Sequence, residues 1–436
     1  MKAGLFAGVA LAALILMAPI GAGARAQTSE PLAQSATPQA FPIDRGRNES
    51  VADRDRPDFT AQGLRLGAFV VRPELGVDVA SDSNIFYQPA NEQDDLVTVL
   101  RPRVAAETDW SRHSLRGEIG LDDVRHQDSD SEDHTDVFAA GEARLDVRRG
   151  ATLTVGGRQE RLTERRSAPD SPGNAAKPLR LEVRSAFVAG VYEFNRARVG
   201  LRVDRENLNY KDAPLVGGGV ADQDQRDHTT TTATARLEYG LSPDTALVAQ
   251  VAANTREYDL KPPRAAFDRD SEGVSYLVGV NTDLTRLLRG EIIAGYLSQD
   301  YDDPALETAE GLALEARLEY FATPLTTVTV EARRRVDETL TTGASAFVST
   351  DVEARVDHEL RRNILLTAGL GTVNRAFQGI ARDDDVVAGD FGARFLLNRR
   401  MELGARWRYE RQTSSGPVSD PDYDVNRFTV SAVFRI

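Results

Sequence analysis

The 436-residue sequence contains no cysteine, only three methionines and two tryptophans, and only four lysines (Lys2, Lys177, Lys211 and Lys261) among its 53 basic residues. Without cysteine there are no disulfides, thiol chemistry or thiolate metal sites, so stability has to come from the fold itself. With so little lysine, nearly all positive charge sits on arginine, whose planar fork suits carboxylates and flat surfaces. A net charge of -14 gives no support to nucleic-acid binding. After the first 20 residues no apolar run approaches the ~20 residues that a membrane helix needs.

The exception is the start, "MKAGLFAGVALAALILMAPIGAGARAQ", with Lys2, an apolar run from Leu5 to about Ile20 and the small-x-small site Ala24-Arg25-Ala26. This pattern predicts a secretory signal peptide over 1–26, cut before Gln27. An exported chain with no helical anchor is periplasmic, secreted or an outer-membrane barrel. Residues 27–63 are rich in Pro, Ser, Gln and charge and show no period, which predicts a disordered periplasmic arm.

From residue 64 the texture changes to segments that alternate apolar and polar side chains. In "GLALEARLEYF", Leu312, Leu314, Ala316, Leu318 and Tyr320 share one face, and Glu315, Arg317 and Glu319 the other. "TVTVEARRRV", "DVEARVDHEL" and "MELGARWRYE" repeat this period of two, which is that of a strand. About eighteen such segments run from 67–80 to 423–436. Tight connections such as Arg149-Gly150, Asn195-Arg196 and Arg361-Arg362 alternate with long polar ones such as "RSAPDSPGNAAKPL" and "DAPLVGGGVADQDQ". Short turns at one end and long loops at the other predict an all-β fold over 64–436: a transmembrane antiparallel up-and-down β-barrel of the cell outer membrane, with both termini periplasmic. The sheet closes to satisfy its backbone in lipid, turns its apolar face outward and keeps its charged face for the lumen.

The stretch "VADRDRPDFTAQGLRLGAFVVRPELGVDVASDSNIF", residues 51–86, resembles the beta-barrel porin 2 family of proteobacterial outer membranes. The likeness rests on Arg54-x-Arg56-Pro57-x-Phe59, the "GLRLGAF" entry to the first strand and the "DSNIF" exit from Asp82 to Phe86. It implies a Gram-negative outer-membrane porin and, from some family members, a pore for exopolysaccharide export. The family brings no catalytic motif and no cofactor.

The residues themselves are equally poor in enzyme signals. "HELRRN" at His358 lacks the second histidine of a zinc helix, because Arg362 stands there. No serine elbow or phosphate loop occurs. The acidic runs Asp128–Asp133 and Asp383-Asp384-Asp385 lack the ligand spacing of a calcium loop and read as solvated loops. Chemistry is instead distributed over the inward positions. Glu315, Arg317, Glu319, Glu331, Arg333, Arg335, Glu353, Arg355, Asp357, Glu402, Arg406 and Arg408 are the pore-lining candidates, most of them pairing in ladders and a few meeting solute at a constriction. Trp110, Phe194, Tyr239, Tyr320, Phe321, Trp407 and Tyr409 are candidates for interfacial girdles. In the final "NRFTVSAVFRI", Phe428, Val430, Phe434 and Ile436 are the candidate signal for the barrel-assembly machinery.

These features predict passage of hydrophilic material, a solute or a polysaccharide, with exopolysaccharide export as the preferred role and periplasmic export components as partners. The alternatives are a general diffusion porin, a surface scaffold or adhesin and, third, an outer-membrane hydrolase.

Overall fold

The structure, a computed structural model, describes residues 48–416 and 418–436. The predicted signal peptide and residues 27–47 of the predicted arm lie outside the described residues. Eighteen long strands make the wall. They are β1 (Phe69–Asp82), β2 (Asp95–Thr108), β3 (Ser114–His126), β4 (His134–Arg148), β5 (Ala151–Thr163) and β6 (Arg180–Phe194), followed by β7 (Ala197–Tyr210), β8 (His228–Ser242), β9 (Thr245–Tyr258), β10 (Ser271–Asp283), β11 (Leu288–Tyr301) and β12 (Ala309–Thr323). The ring is completed by β13 (Thr326–Glu338), β14 (Ala346–Arg361), β15 (Ile364–Phe377), β16 (Asp383–Asn398), β17 (Met401–Ser415) and β18 (Tyr423–Arg435). Each pairs antiparallel with its neighbours, and β18 closes on β1 from Glu74 opposite Arg435 to Asp82 opposite Arg427. Closure leaves no sheet edge, as lipid requires.

Alternation sorts the side chains. On β12, Leu312 and Tyr320 are exposed on the outside, whereas Glu319 is buried. The hollow side is identified by bonds that skip strands. Arg236 of β8 donates to Glu238 at 2.8 Å, to Gln250 of β9 at 3.2 Å and to Glu291 of β11 at 2.5 Å. Only inward side chains of a curved wall can meet this way. Arg236→Ala would leave the buried Glu291 without its cation and Glu238 with only Arg198 at 3.7 Å, a change worth about 3–5 kcal/mol. The urea midpoint of the detergent-solubilised barrel should fall accordingly.

The lumen is not charged all the way round. On β9 to β12 the inward residues Val248, Leu277, Ile293, Leu297, Ala309 and Ala313 form a buried apolar cluster. Here the wall turns sharply: a Cβ on Gly295 would come within 1.7 Å of the Tyr276 carbonyl, and one on Gly279 within 1.9 Å of the Ile292 carbonyl. Inner side chains there pack against one another. The charged inner face expected from the sequence is interrupted here by an apolar patch, while Glu291 and Glu319 continue it on the same strands. The girdle set is corrected at one position as well. Trp110, Phe194, Tyr239, Tyr320 and Trp407 are exposed, but Phe321 is buried, under the Arg289 guanidinium at 5.0 Å. Phe321 shares the inward parity of Glu319, which its position near a turn does not reveal.

Candidate functional site

Two segments cross the ends of the barrel. The first is residues 48–63 at the short-turn end, sequence that by composition reads as flexible. The Asn48 side chain donates to the Arg286 carbonyl at 2.7 Å, and the Val51 amide donates to Thr327 Oγ1 at 3.0 Å. Val51 packs on Leu365 and Leu396, with Phe59 beside them. Arg54 and Arg56 each reach Glu359 at 3.0 Å, and Arg399 donates to the Pro57 carbonyl at 3.0 Å. Thr327, Glu359, Leu365 and Leu396 are inward residues of β13 to β16, so the segment lies inside the mouth. It leaves through Leu64–Leu66, which folds back on Val71–Phe69 of β1 as a hairpin. The predicted 27–63 arm is therefore folded over 48–63, because one buried valine and two arginines on one carboxylate hold it.

The second segment is the long loop between β5 and β6. Glu164 accepts both nitrogens of the Arg226 fork, at 2.6 and 3.0 Å, and Arg166 holds Glu132 of the β3–β4 loop at 2.6 and 2.7 Å. Further along, Asp170 accepts from Thr339 Oγ1 and the Leu340 amide, both at 2.9 Å. Thr339 and Leu340 follow β13, almost opposite β5 in an eighteen-strand ring. Arg165 meanwhile lies 3.9 Å from Glu410 of β17. The loop thus spans the long-loop mouth and is fastened on several sides.

Next to the Arg226 clamp, burial pushes the Asp227 carboxyl up to about 6 from 3.8, against the lowering effect of the Tyr210 amide that it accepts at 2.6 Å. A raised carboxyl stabilises the fold below its unfolded value and loses that contribution as pH rises through about 6. The loop over 211–227 should accordingly show slower amide exchange at pH 4 than the intrinsic rate predicts from pH 8, and Asp227→Asn should remove the difference.

Under the crossing loop, inward side chains converge at the seam of β17, β18 and β1. Arg406 pairs with Asp390 at 3.1 Å, Arg408 with Glu410 at 3.0 Å and Arg427 with Asp82 at 2.6 Å, while Glu410 also accepts from the Tyr423 hydroxyl at 3.0 Å. Arg165 from the loop, Asp82, Arg406, Arg408, Glu410 and Arg427 line a cavity of about 30 Å³.

Of the pore-lining candidates, Arg406 and Arg408 line this cavity. The others are spread along the inner wall in ladders. Arg317 bonds Glu319 at 2.9 Å and also Glu331, Arg289 bonds Glu319 at 2.6 Å, and Glu315 faces Arg333 across β12 and β13. Arg335 holds Asp337 at 3.0 Å and also Asp351, Arg355 holds Asp357 at 2.9 Å, and Glu353 faces Glu331. Glu402 takes Arg435 at 3.0 Å and Arg394 at 3.6 Å. Sequence reasoning did not single out Arg165, Asp82 or Glu410 as site residues, since nothing local marks a loop arginine or seam carboxylates as neighbours.

Several other titratable groups are held in structural hydrogen bonds. His358 exchanges a hydrogen bond with Thr326 Oγ1 at 2.9 Å, and Asp133 accepts from the His126 amide at 2.7 Å. Asp212, Asp222 and Asp224 gather on an exposed loop, where Asp212 and Asp222 cap the amides of Gln223 and Asp224 at 3.0 and 2.9 Å. The final-strand residues Phe428, Val430, Phe434 and Ile436 all stand exposed on the outer face.

No curated protein matches this chain. Among solved structures it is similar to Pseudomonas aeruginosa OpdO (14% identity, 87% of this chain and 99% of that one, TM-score 0.46) and to Pseudomonas aeruginosa OccK1, also called OpdK (10%, 84% and 99%, 0.44). It is also similar to a bacterial polysaccharide outer membrane secretin (11%, 84% and 98%, 0.36). At these scores the likenesses carry no argument about cargo. The family model of "putative beta-barrel porin 2" matches residues 56–436. The chain belongs to that family and is a porin-like β-barrel of the outer membrane.

Proposed function

We propose that this barrel passes small hydrophilic solutes through a hydrated lumen narrowed by its two crossing segments, with no covalent chemistry. The observation that carries this reading is the closed eighteen-strand ring whose inner face, away from the apolar corner, bears paired charges while its outer face bears exposed leucine, valine and aromatic side chains. Charged walls hold water, and long loops folded into the mouth limit size. On this reading the short-turn end faces the periplasm, and the ladder residues, including the twelve candidates from Glu315 to Arg408, line the water-filled path. Its partners are outer-membrane lipid and the barrel-assembly machinery, which reads Phe428, Val430, Phe434 and Ile436. Liposomes containing the protein should swell in small neutral sugars and resist larger ones; failure to swell in any sugar or salt would overturn the reading.

Exopolysaccharide export is the second reading, and a polymer would need both segments to leave the lumen. It is favoured by the position of residues 48–63, which periplasmic export components could reach and displace from Glu359. Loss of secreted polymer in a knockout, restored by the wild-type chain, would support it over simple diffusion. An adhesin role draws less support, because the long loop after β5 folds across the mouth.

A further inference from the structure

We propose that the outer face of β5, β6 and β7 at the long-loop end binds the phosphate groups of lipopolysaccharide, the phosphorylated glycolipid of the outer leaflet. The inference does not depend on the channel reading; it needs only that the long loops face the cell exterior.

Strand parity puts the site on the outside of the wall. Arg161 of β5 lies directly opposite the exposed Val137 of β4. On β6, Arg180, Glu182 and Arg184 share the parity of the exposed Tyr192 and Phe194, while Leu181, Val183 and Phe187 take the buried one. On β7, Arg205 has the parity of the exposed Leu201, and Lys211 follows the strand at the same parity. Side chains of one parity share one face. Leu201 precedes Arg205 by a rise of only about 13 Å, so the charged patch begins where the exposed apolar band ends, at the level of lipid headgroups.

The balance of charge there is reversed. Arg161, Arg180, Arg184, Arg205 and Lys211 share these strands and the end of β7 with one outward carboxylate, Glu182. Arg184 lies 3.6 Å, Arg161 3.7 Å and Lys211 3.8 Å from it. One carboxylate cannot neutralise three neighbours, and exposed pairs of this kind are weak. The side chains of Arg161, Arg184 and Lys211 are 57%, 63% and 45% exposed, against 22% for Glu182. Arg205 donates to Thr231 Oγ1 at 3.4 Å and has no carboxylate partner among the described residues. Asp212, next along the chain, accepts from the Gln223 amide at 3.0 Å. All this stands in a chain whose overall charge is -14.

The reversal is confined to one sector. On β3, Arg125 is matched by Asp123 at 2.6 Å and Asp133 at 3.5 Å. At the long-loop end of β9 to β12 the outward positions carry Glu257, Glu272, Asp300 and Glu310 and no cation. A patch on one side of the ring suits a bound lipid better than a general interface with the headgroup layer.

The groups present fit a phosphorylated amphiphile. Guanidinium forks donate to two phosphate oxygens at once, and strands about 4.8 Å apart bring Arg161, Arg184 and Arg205 within reach of one headgroup. Asn207 donates to Thr229 Oγ1 at 3.1 Å, leaving that hydroxyl's own O–H to donate to a sugar oxygen. Below the cations, the exposed Val137 and Leu201 offer an apolar surface to acyl chains, which free phosphate would not use.

The experiment is titration of the purified mature protein in detergent with diphosphoryl lipid A, monophosphoryl lipid A, phosphatidylglycerol and inorganic phosphate, with bound copies counted by native mass spectrometry. Heat-modifiable electrophoretic mobility checks that each variant has folded. Diphosphoryl lipid A should bind at one copy per barrel, several-fold more tightly than the monophosphoryl form or phosphatidylglycerol, and inorganic phosphate should leave no stable adduct. Added potassium chloride should weaken binding by screening. Arg184→Gln combined with Arg205→Gln should weaken lipid A binding by about tenfold or more, while Arg125→Gln should leave it unchanged. Glu182→Gln removes the competing carboxylate and should tighten binding several-fold, a gain that no folding defect can mimic. Phosphatidylglycerol or inorganic phosphate binding as well as lipid A, or wild-type affinity in the folded double variant, would overturn the proposal. Because the chain has no cysteine, Val216→Cys in the loop after β7, where Val216 is 70% exposed, reports the orientation. It should react with a bulky polyethylene glycol maleimide on intact cells; labelling only after lysis would overturn the proposal, since the patch would then face the inner leaflet. Lipid A binding by a barrel that does not conduct would support the site and count against the channel reading alone.

Discussion

Replacing Arg54 and Arg56 together by glutamate is expected to empty the short-turn mouth and raise single-channel conductance severalfold. Both guanidiniums lie 3.0 Å from the same Glu359 oxygen, and the Glu359 side chain is 8% exposed. Two unit charges about 4 Å apart at an effective dielectric near 20 interact by about 4 kcal/mol. Reversing the sign turns that attraction into repulsion twice over. Against it stand the burial of Val51 and a few neutral hydrogen bonds, such as that of the Val51 amide to Thr327. Glu359→Arg with the native segment should act in the same direction. Combining Glu359→Arg with both glutamates should restore the low conductance, because the pair is rebuilt with its polarity exchanged; a general disturbance of the wall would not be rescued. Planar-bilayer recordings of the three proteins read the effect directly.

The second large effect concerns the opposite mouth. Deleting residues 167–174 and joining Arg166 to Ala175 through two glycines should widen the passage without harming the wall. The cut points are already neighbours, since Arg166 donates to the Ala175 carbonyl at 2.9 Å. The ladder between β5 and β6 runs uninterrupted from Ala151 opposite Tyr192 to Thr163 opposite Arg180, below the excised segment. Surface connections of this kind tolerate shortening far better than strands do. The deletion removes Asp170, and with it both bonds to Thr339 and Leu340 that fasten the loop to the far side. Liposome swelling should then extend to sugars that the native protein excludes. An unchanged size limit would mean that the narrowing lies elsewhere.

The two crossing segments also mark where sequence reading ran out. The wall was legible because each strand carries its own signal: a period of two read from Leu312 to Tyr320 places β12 at 308–321, against Ala309–Thr323 in the structure, and the final strand was placed at 423–436, against Tyr423–Arg435. Inward parity likewise picked out Arg406 and Arg408. What parity cannot supply is distance across the hollow. Arg165 meets Glu410 from 245 positions away, and Arg54 meets Glu359 from 305. Such contacts depend on ring size, wall curvature and loop path, none of which has a local pattern. Composition misled in two further places. Residues 48–63 look flexible because their charges are counted as solvated, yet Glu359 receives two of them. The apolar inner corner at Leu277 and Ile293 looks like ordinary strand sequence until curvature brings those residues together.

The central claim is that a water-filled path exists and that these two segments narrow it. Planar-bilayer recording of the protein carrying both the arginine-to-glutamate pair and the 167–174 deletion tests it most directly, with heat-modifiable mobility showing that the barrel has assembled. Small discrete steps in the native protein and much larger, stable steps in the combined variant are the predicted result. An assembled combined variant that conducts no more than the native protein would contradict it.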